Sequence, residues 1–302
     1  MKPKVIVIVG PTASGKSECA IELAKRIDGE IVSADSMQIY KEMDIGTAKV
    51  TDEEMSGVKH YMINIVNPSE DFNVAMYKKM AEEALEEIVS KGKMPIIVGG
   101  TGLYINTLVN GIEFSEIDKD EEYRKELENR VSAEGIDGIY EELKSVDPEA
   151  ANIIDKNNVR RVIRALEIYK VTGKTKTELD KESIKETKFD FLMYGIKTDR
   201  EELYNRINKR IGYMMEQGLV SEVEKLNKKY KMSKTALQGL GYKEVIEYIN
   251  GNCNYDEMIE KLKMETRRYA KRQITWFKRD ERITWVPKEK LVDVIMQQIS
   301  YS

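Results

Sequence analysis

Eight residues, Gly10 to Ser17 (GPTASGKS), follow a short apolar run and match G-x-x-x-x-G-K-[ST], a loop that cradles phosphate groups. In such a loop Gly10 and Gly15 let the backbone approach an anion, while Pro11, Thr12, Ala13 and Ser14 shape the turn. The N–H groups of Ala13 to Ser17 then converge at the start of a helix, whose dipole adds about 0.3–1 kcal/mol when exposed. Lys16 would bridge phosphate oxygens, and the Ser17 hydroxyl would ligate Mg²⁺. Nucleotide hydrolases and kinases pair this loop with an apolar strand ending in a metal-supporting Asp. The clearest later strand, PIIVGGTG, ends in glycines instead. The acid stands elsewhere, as Asp35 in SADSMQIY, at the end of the second strand and beside the loop.

Three roles are open to that carboxylate: metal support, general base, or a cap on the next helix. Ser36, Gln38 and Tyr40 add hydrogen-bonding groups suited to a flat heterocycle. Gly99-Gly100-Thr101-Gly102 is either a plain strand-to-helix turn or a turn that leaves room for a ligand to which Thr101 donates.

The elements that must hold these groups are legible as periodicity. Strand-like runs at Val5–Val9 and Glu30–Ala34 flank a helix carrying Ala20, Ile21, Ala24 and Ile27 and ended by Gly29, a β-α-β unit. Further strands are expected at Tyr61–Val66, Pro95–Val98 and Phe191–Ile196, and helices around Val74–Val89 and Glu201–Gln217. This alternation implies a mostly parallel sheet covered on both faces, with ligands at its carboxyl edge. Between Glu113 and Lys188 the text turns charged, helical and strand-free, with breaks at Gly135, Asp147-Pro148 and Thr172-Gly173. The expected organisation is a discontinuous core, residues 1–112 and 189–302, interrupted by a helical insertion domain, 113–188.

Composition narrows the class. The 302 residues are 41% hydrophobic and carry a formal charge of −4, against a protein that coats nucleic acid indiscriminately. Local patches are still possible: Thr266 to Arg279 holds six basic side chains and no acid, interleaved with Tyr269, Trp276 and Phe277. Tyr269 and Trp276, seven apart, read as a core stripe. The first apolar run is too short for a signal peptide or a membrane span, so a cytoplasmic protein without membrane association is expected. Cys19, Cys253 and the single His60 have no zinc-ligand spacing, and both cysteines are expected to be inert.

Beyond GPTASGKS and SADSMQIY, the chain carries GTAK at Gly46–Lys49, GGTGLY at Gly99–Tyr104, NVRRVIRALEIY at Asn158–Tyr169, LGYKE at Leu240–Glu244 and KRQITWF at Lys271–Phe277. In these segments and their order the sequence resembles the bacterial tRNA dimethylallyltransferases. TGKTKTELD departs from the pattern by lacking a proline after Lys174, and the zinc-finger extension of some eukaryotic relatives is not expected. The resemblance implies an α/β, P-loop NTPase-like (nucleotide-kinase-like) parallel sheet flanked by helices. It also implies transfer of a dimethylallyl group from dimethylallyl diphosphate to N6 of adenosine 37, beside the anticodon of tRNA.

The resemblance assigns residues as follows. Lys16, Asp35 and Thr101 would be catalytic, with Mg²⁺ on Ser17, and the loop Gly10–Ser17 would hold the diphosphate. Arg206 and Arg210 lie beside the apolar stripe Leu203, Ile207 and Ile211, so one could reach the diphosphate; a solvated pair helped by Glu202 is the other reading. Asp35, Ser36, Met37, Gln38 and Thr101 would receive an adenine flipped out of the anticodon stack. Contacts to the anticodon stem-loop would fall to Arg124, Val159, Arg160, Arg161, Val162, Ile163 and Arg164, and to Arg268, Lys271 and Arg272. A monomer is expected. Three other readings stand beside this one: a nucleotide kinase whose lid is the insertion, a prenyltransferase acting on free adenosine phosphate, and a non-catalytic RNA-binding module.

Overall fold

Val5–Val9 are wholly buried, which requires a strand covered on both faces. The structure, a computed structural model describing residues 2–114 and 120–300, places them in β1 (Lys4–Val9) at the centre of a six-stranded sheet. The others are β2 (Gly29–Ala34), β3 (His60–Tyr61), β4 (Met94–Gly99), β5 (Asp190–Lys197) and β6 (Thr284–Pro287), in the order β3-β2-β4-β1-β5-β6. Every pairing is parallel. All six strands therefore deliver their following loops to one edge.

The helix Lys16–Arg26 turns Cys19, Ala20, Leu23 and Ala24 onto one face of the sheet, with the C-terminal helix Lys288–Ser300 adding Leu291, Val292 and Ile295 to the same cluster. The helices Val74–Ser90, Arg200–Glu216 and Tyr255–Phe277 contribute to the larger cluster on the other face, with Leu85, Leu203, Ile207, Ile211 and Phe277 among its members. Two expectations fail in detail. The strand at Tyr61–Val66 ends at Tyr61, because Met62 and Asn64 take positive φ of 63° and 57°, and Val66 makes only an isolated bridge to Tyr40. The edge strand β6 was not expected, since four residues ending in proline give no alternation to read.

The chain divides into two compact units, residues up to Val109 together with those from Thr187 onward, and Asn110–Glu186. The second unit is helical, and caps fix its helices. Asp147 accepts from Ala150 N–H as Pro148 begins a helix, Asn158 accepts from Arg161 N–H, and Gly135 and Gly173 end helices with positive φ. Leu127, Ile139, Leu143, Val162, Ile163 and Leu166 form its core.

Inside that unit Glu167 is fully buried, and its carboxylate accepts from Arg124 at 2.7 and 3.0 Å, from Arg164 at 2.7 Å and from Asp120 N–H at 3.1 Å. Burial pushes its pKa up, and the two guanidiniums outweigh that and hold it below the usual carboxylate range. Glu167→Ala leaves both arginines without their shared acceptor and is expected to cost about 2–3 kcal/mol, read as a lower urea midpoint. Because the folded pKa is depressed, the contribution is present above the unfolded value and is lost as pH falls through the folded one.

Candidate active site

β1 ends at Val9 and the helix begins at Lys16, so Gly10–Gly15 must turn the chain within six residues at the carboxyl edge. Ala13 (φ 61°) and Gly15 (φ 86°) occupy the left-handed region, which turns successive N–H groups toward a common centre. Ser14 is wholly buried and its Oγ has no hydrogen-bond partner in the protein. Among the described residues Lys16 Nζ reaches only the Pro11 carbonyl, at 3.3 Å. Burial lowers its pKa to about 8, with the Asp35 charge acting to raise it and the Arg210 charge to lower it. Such a cation is short of negative charge.

Arg206 and Arg210 come to the loop from the helix Arg200–Glu216. Arg210 donates to Thr12 Oγ1 at 3.2 Å and to the Ala48 carbonyl at 3.5 Å, and burial lowers its pKa. Arg206 Nη2 pairs with Glu202 at 2.5 Å while Nη1 approaches the Ser14 carbonyl at 3.5 Å. Both arginines are half-buried; Arg210 reaches Thr12 and Ala48, whereas Arg206 keeps an ion pair on the rim.

β2 carries Asp35 to the same edge. Its Oδ1 accepts from Met37 N–H at 2.9 Å and Gln38 N–H at 3.4 Å, which closes a turn rather than capping a helix, since the next helix begins only at Asp52; among the described residues nothing donates to Oδ2. β4 brings Thr101, whose N–H donates to the Ala34 carbonyl at 3.0 Å and whose Oγ1 accepts from Ser36 N–H at 3.0 Å. Thr101 Oγ1 also donates to Ser36 Oγ at 3.3 Å. Gln38 is less free than expected: Nε2 donates to the Thr47 and Ala48 carbonyls at 3.4 Å, so its side chain braces the GTAK turn.

One residue of this assembly escaped sequence reasoning. Gln273, on the buried face of the helix Tyr255–Phe277, accepts from Thr12 N–H at 2.9 Å and donates to the Gly100 carbonyl at 2.9 Å. It ties the phosphate loop to the glycine turn. A Cβ on Gly100 would strike its Nε2, so a larger residue there would displace this bridge. The only signal in the sequence is an uncharged polar residue one turn from Tyr269 amid basic neighbours.

Two cavities adjoin here. One of about 610 Å³ is lined by Gly15, Lys16, Ser17, Asp35, Arg206 and Arg210. The other, about 300 Å³, is lined by Asp35, Met37, Ile207, Met214, Leu240 and Tyr269. Thr12, Lys16, Asp35, Thr47, Ala48 and Arg210 border both. Tyr269 and Trp276 are consequently not a core stripe. Tyr269 is half-buried in the smaller cavity wall, and Trp276 lies 37% exposed against Gly102, since the helix face they share looks onto the carboxyl edge rather than into the apolar cluster. Arg272 borders the smaller cavity, its guanidinium 5.8 Å from the Tyr269 ring centre. Arg268 and Lys271 are exposed, with Arg268 paired to Glu265 at 2.6 Å.

For Mg²⁺, no group of three or more His, Cys, Asp or Glu is assembled among the described residues. The Ser17 hydroxyl borders the larger cavity, as do those of Thr12, Ser33 and Thr47. That set fits an ion that keeps several waters and takes its other ligands from substrate oxygens. His60 borders the same cavity, hydrogen-bonded to the Val58 carbonyl at 2.9 Å and with a pKa lowered by burial. Cys19 is buried, its thiol pushed up to about 11 mainly by burial.

In the helical unit the expected RNA-facing residues separate. Arg160 and Arg161 are exposed, whereas Arg124 and Arg164 are spent on Glu167. Val162 and Ile163 are 0% and 3% exposed in the unit's core, so their side chains offer no surface, and Val159 packs against that core. Helical period decides this: residues 160 and 161 face outward, and 162 and 163 inward. Among the described residues, no helix is long and apolar enough to cross a membrane.

Known proteins resemble this chain. The family described as IPP transferase matches residues 38–280. A tRNA dimethylallyltransferase of Acetivibrio thermocellus is 53% identical over 288 residues, 95% of this chain and 92% of that protein. The crystal structure of a full-length tRNA isopentenylpyrophosphate transferase from Bacillus halodurans superposes with a TM-score of 0.74 at 43% identity, over 99% of this chain and 96% of the other. A eukaryotic dimethylallyltransferase, crystallised acting on tRNA, superposes with a TM-score of 0.75 at 32% identity over 95% of this chain and 74% of its own. A phosphate loop and an acid at one sheet edge, in a chain alike over nearly its whole length to such transferases, identify it as a member of the IPP transferase family, the tRNA dimethylallyltransferases.

Proposed function

We propose that this chain transfers a dimethylallyl group from dimethylallyl diphosphate to N6 of adenosine 37 in tRNA, releasing diphosphate. The observation that carries this reading is that Asp35 and the cationic loop border both cavities, so an acid and an anion site meet where two substrates could. The diphosphate occupies the larger cavity and the flipped adenine reaches Asp35 through the smaller, past Tyr269 and Arg272. N6 attacks C1 as the C1–O bond breaks, the bonding pair leaving on the diphosphate. Lys16, Arg210 and the N–H groups of Ala13 to Ser17 stabilise the charge that grows there. Mg²⁺ held by Ser17 and diphosphate oxygens would supply further neutralisation of the leaving group. Asp35 accepts the N6 proton through Oδ2, while Oδ1 keeps the side chain oriented. Thr101 fixes Ser36, next to Asp35, through two hydrogen bonds. Arg160, Arg161, Lys271 and Arg272 are the exposed cations offered to the RNA backbone. A monomer working in the cytoplasm goes with this reading.

Incubation with unmodified tRNA, Mg²⁺ and either dimethylallyl diphosphate or ATP tests it. Mass spectrometry should show one five-carbon unit on a single adenosine, independent of ATP; an unmodified RNA refutes the assignment. Asp35→Ala should keep tRNA affinity within a few-fold while kcat falls about 10²–10⁴-fold, and near-normal turnover removes Asp35 from the chemistry.

Lys16 gives a pH dependence. Burial lowers its pKa to about 8, so the free protein loses the ammonium as pH rises through 8, and an arriving anion restores it. Donor binding at pH 8 to 9 should take up a proton, seen by calorimetry in two buffers of different ionisation enthalpy, and KM for the donor should rise above pH 8. A KM flat to pH 9.5 contradicts this.

A further inference from the structure

Lys288 lies outside residues 38–280 matched by the family, yet the fold delivers it to the phosphate loop. β6 runs parallel to β5, so its end at Pro287 emerges at the same edge as Val9 and Ala34, and Lys288 opens the next helix. Leu291, Val292 and Ile295 pack that helix into the cluster holding Cys19 and Leu23, so the backbone position of Lys288 is set by buried apolar contacts. Its side chain crosses Gly15: a Cβ on Gly15 would stand 2.7 Å from Cε and 3.1 Å from Nζ. With φ at 86°, Gly15 is required by conformation, and the Lys288 side chain lies across it.

The ammonium is poised rather than committed. Its partner, Glu18 at 2.6 Å, has a side chain 73% exposed, and such a surface pair contributes little that a more highly charged anion could not outbid. Both residues border the larger cavity with Lys16, Arg206 and Arg210. The stem of Lys288 is held over the loop while its charge remains exchangeable.

We propose that Lys288 is a further diphosphate-binding residue, which exchanges its surface pairing with Glu18 for the terminal phosphate of the bound diphosphate. This rests on the loop's taking a diphosphate, as above. Lys288 enters no bond-making step; it strengthens ground-state and product binding alike. Glu18 opposes it, both by occupying the ammonium and by placing a negative charge in the first turn of the loop helix.

The two residues therefore predict changes of opposite sign. In calorimetry with inorganic diphosphate and Mg²⁺, Lys288→Met should weaken binding about fivefold to tenfold and Glu18→Gln should tighten it. The loss caused by Lys288→Met should be larger in the Glu18→Gln background than in the native one, because the ammonium is then free. KM for the prenyl donor should follow these changes while kcat at saturation stays within twofold. Lys288→Gln, read alongside, guards against a packing effect of methionine. A Kd within twofold of native in Lys288→Met, or an equal loss in both backgrounds, overturns the assignment. Should the native chain bind no diphosphate at all, the phosphate-loop reading itself fails; native binding with unaltered Lys288 variants removes only Lys288.

Discussion

Half-buried positive charge without matching negative charge is the constraint on which this site depends. Lys16 and Arg210 are both half-buried near the phosphate loop, and among the described residues no carboxylate forms an ion pair with either. Asp35 acts on both at longer range, raising the pKa of each against the effect of burial. Charges so placed cost folding energy unless a ligand supplies the counter-charge, and that cost becomes affinity when an anion arrives. Ser14, buried with an unpartnered Oγ, belongs to the same incomplete arrangement.

Neutral hydrogen bonds hold the charges in place. Gln273 joins Thr12 to Gly100, Thr101 joins β4 to Ser36, and Gln38 joins the turn after Asp35 to Thr47 and Ala48. The turn is fastened from outside as well, where Glu222 accepts from the N–H groups of Asp44, Ile45 and Gly46 and from the Tyr242 hydroxyl at 2.6 Å. None of these bonds consumes a cation. The site can be rigid and still electrostatically unfulfilled, which is what stabilising a leaving diphosphate requires.

The helical unit solves a different problem with the same residue types. Its central acid, Glu167, is satisfied by two arginines and a backbone N–H, so Arg124 and Arg164 complete an interior, and only Arg160 and Arg161 of the same helix stretch stay in solvent. Counting basic residues in NVRRVIRALEIY overstates the charge offered to a polyanion. Burial of one glutamate on the adjacent turn decides how many remain.

Local pattern was enough for the phosphate loop, for Asp35 at a strand end, for the parallel sheet, and for the helix breaks at Gly135, Asp147-Pro148 and Gly173, because each is written in neighbouring residues as dihedral preference, capping chemistry or period. It was not enough for the partners of Arg206 and Arg210, since both share one helix face and only the fold leaves one of them on Glu202 and brings the other to Thr12. Gln273 and Lys288 were hidden altogether. Gln273 meets Thr12 across 261 residues of chain and Lys288 meets Glu18 across 270, and such meetings follow from strand order and helix packing. Sequence by itself determined where the chain turns and that the loop Gly10–Gly15 lies between a strand and a helix. Tertiary structure decided which distant side chains complete the site, because a contact between them exists only after the sheet has set the order of its strands.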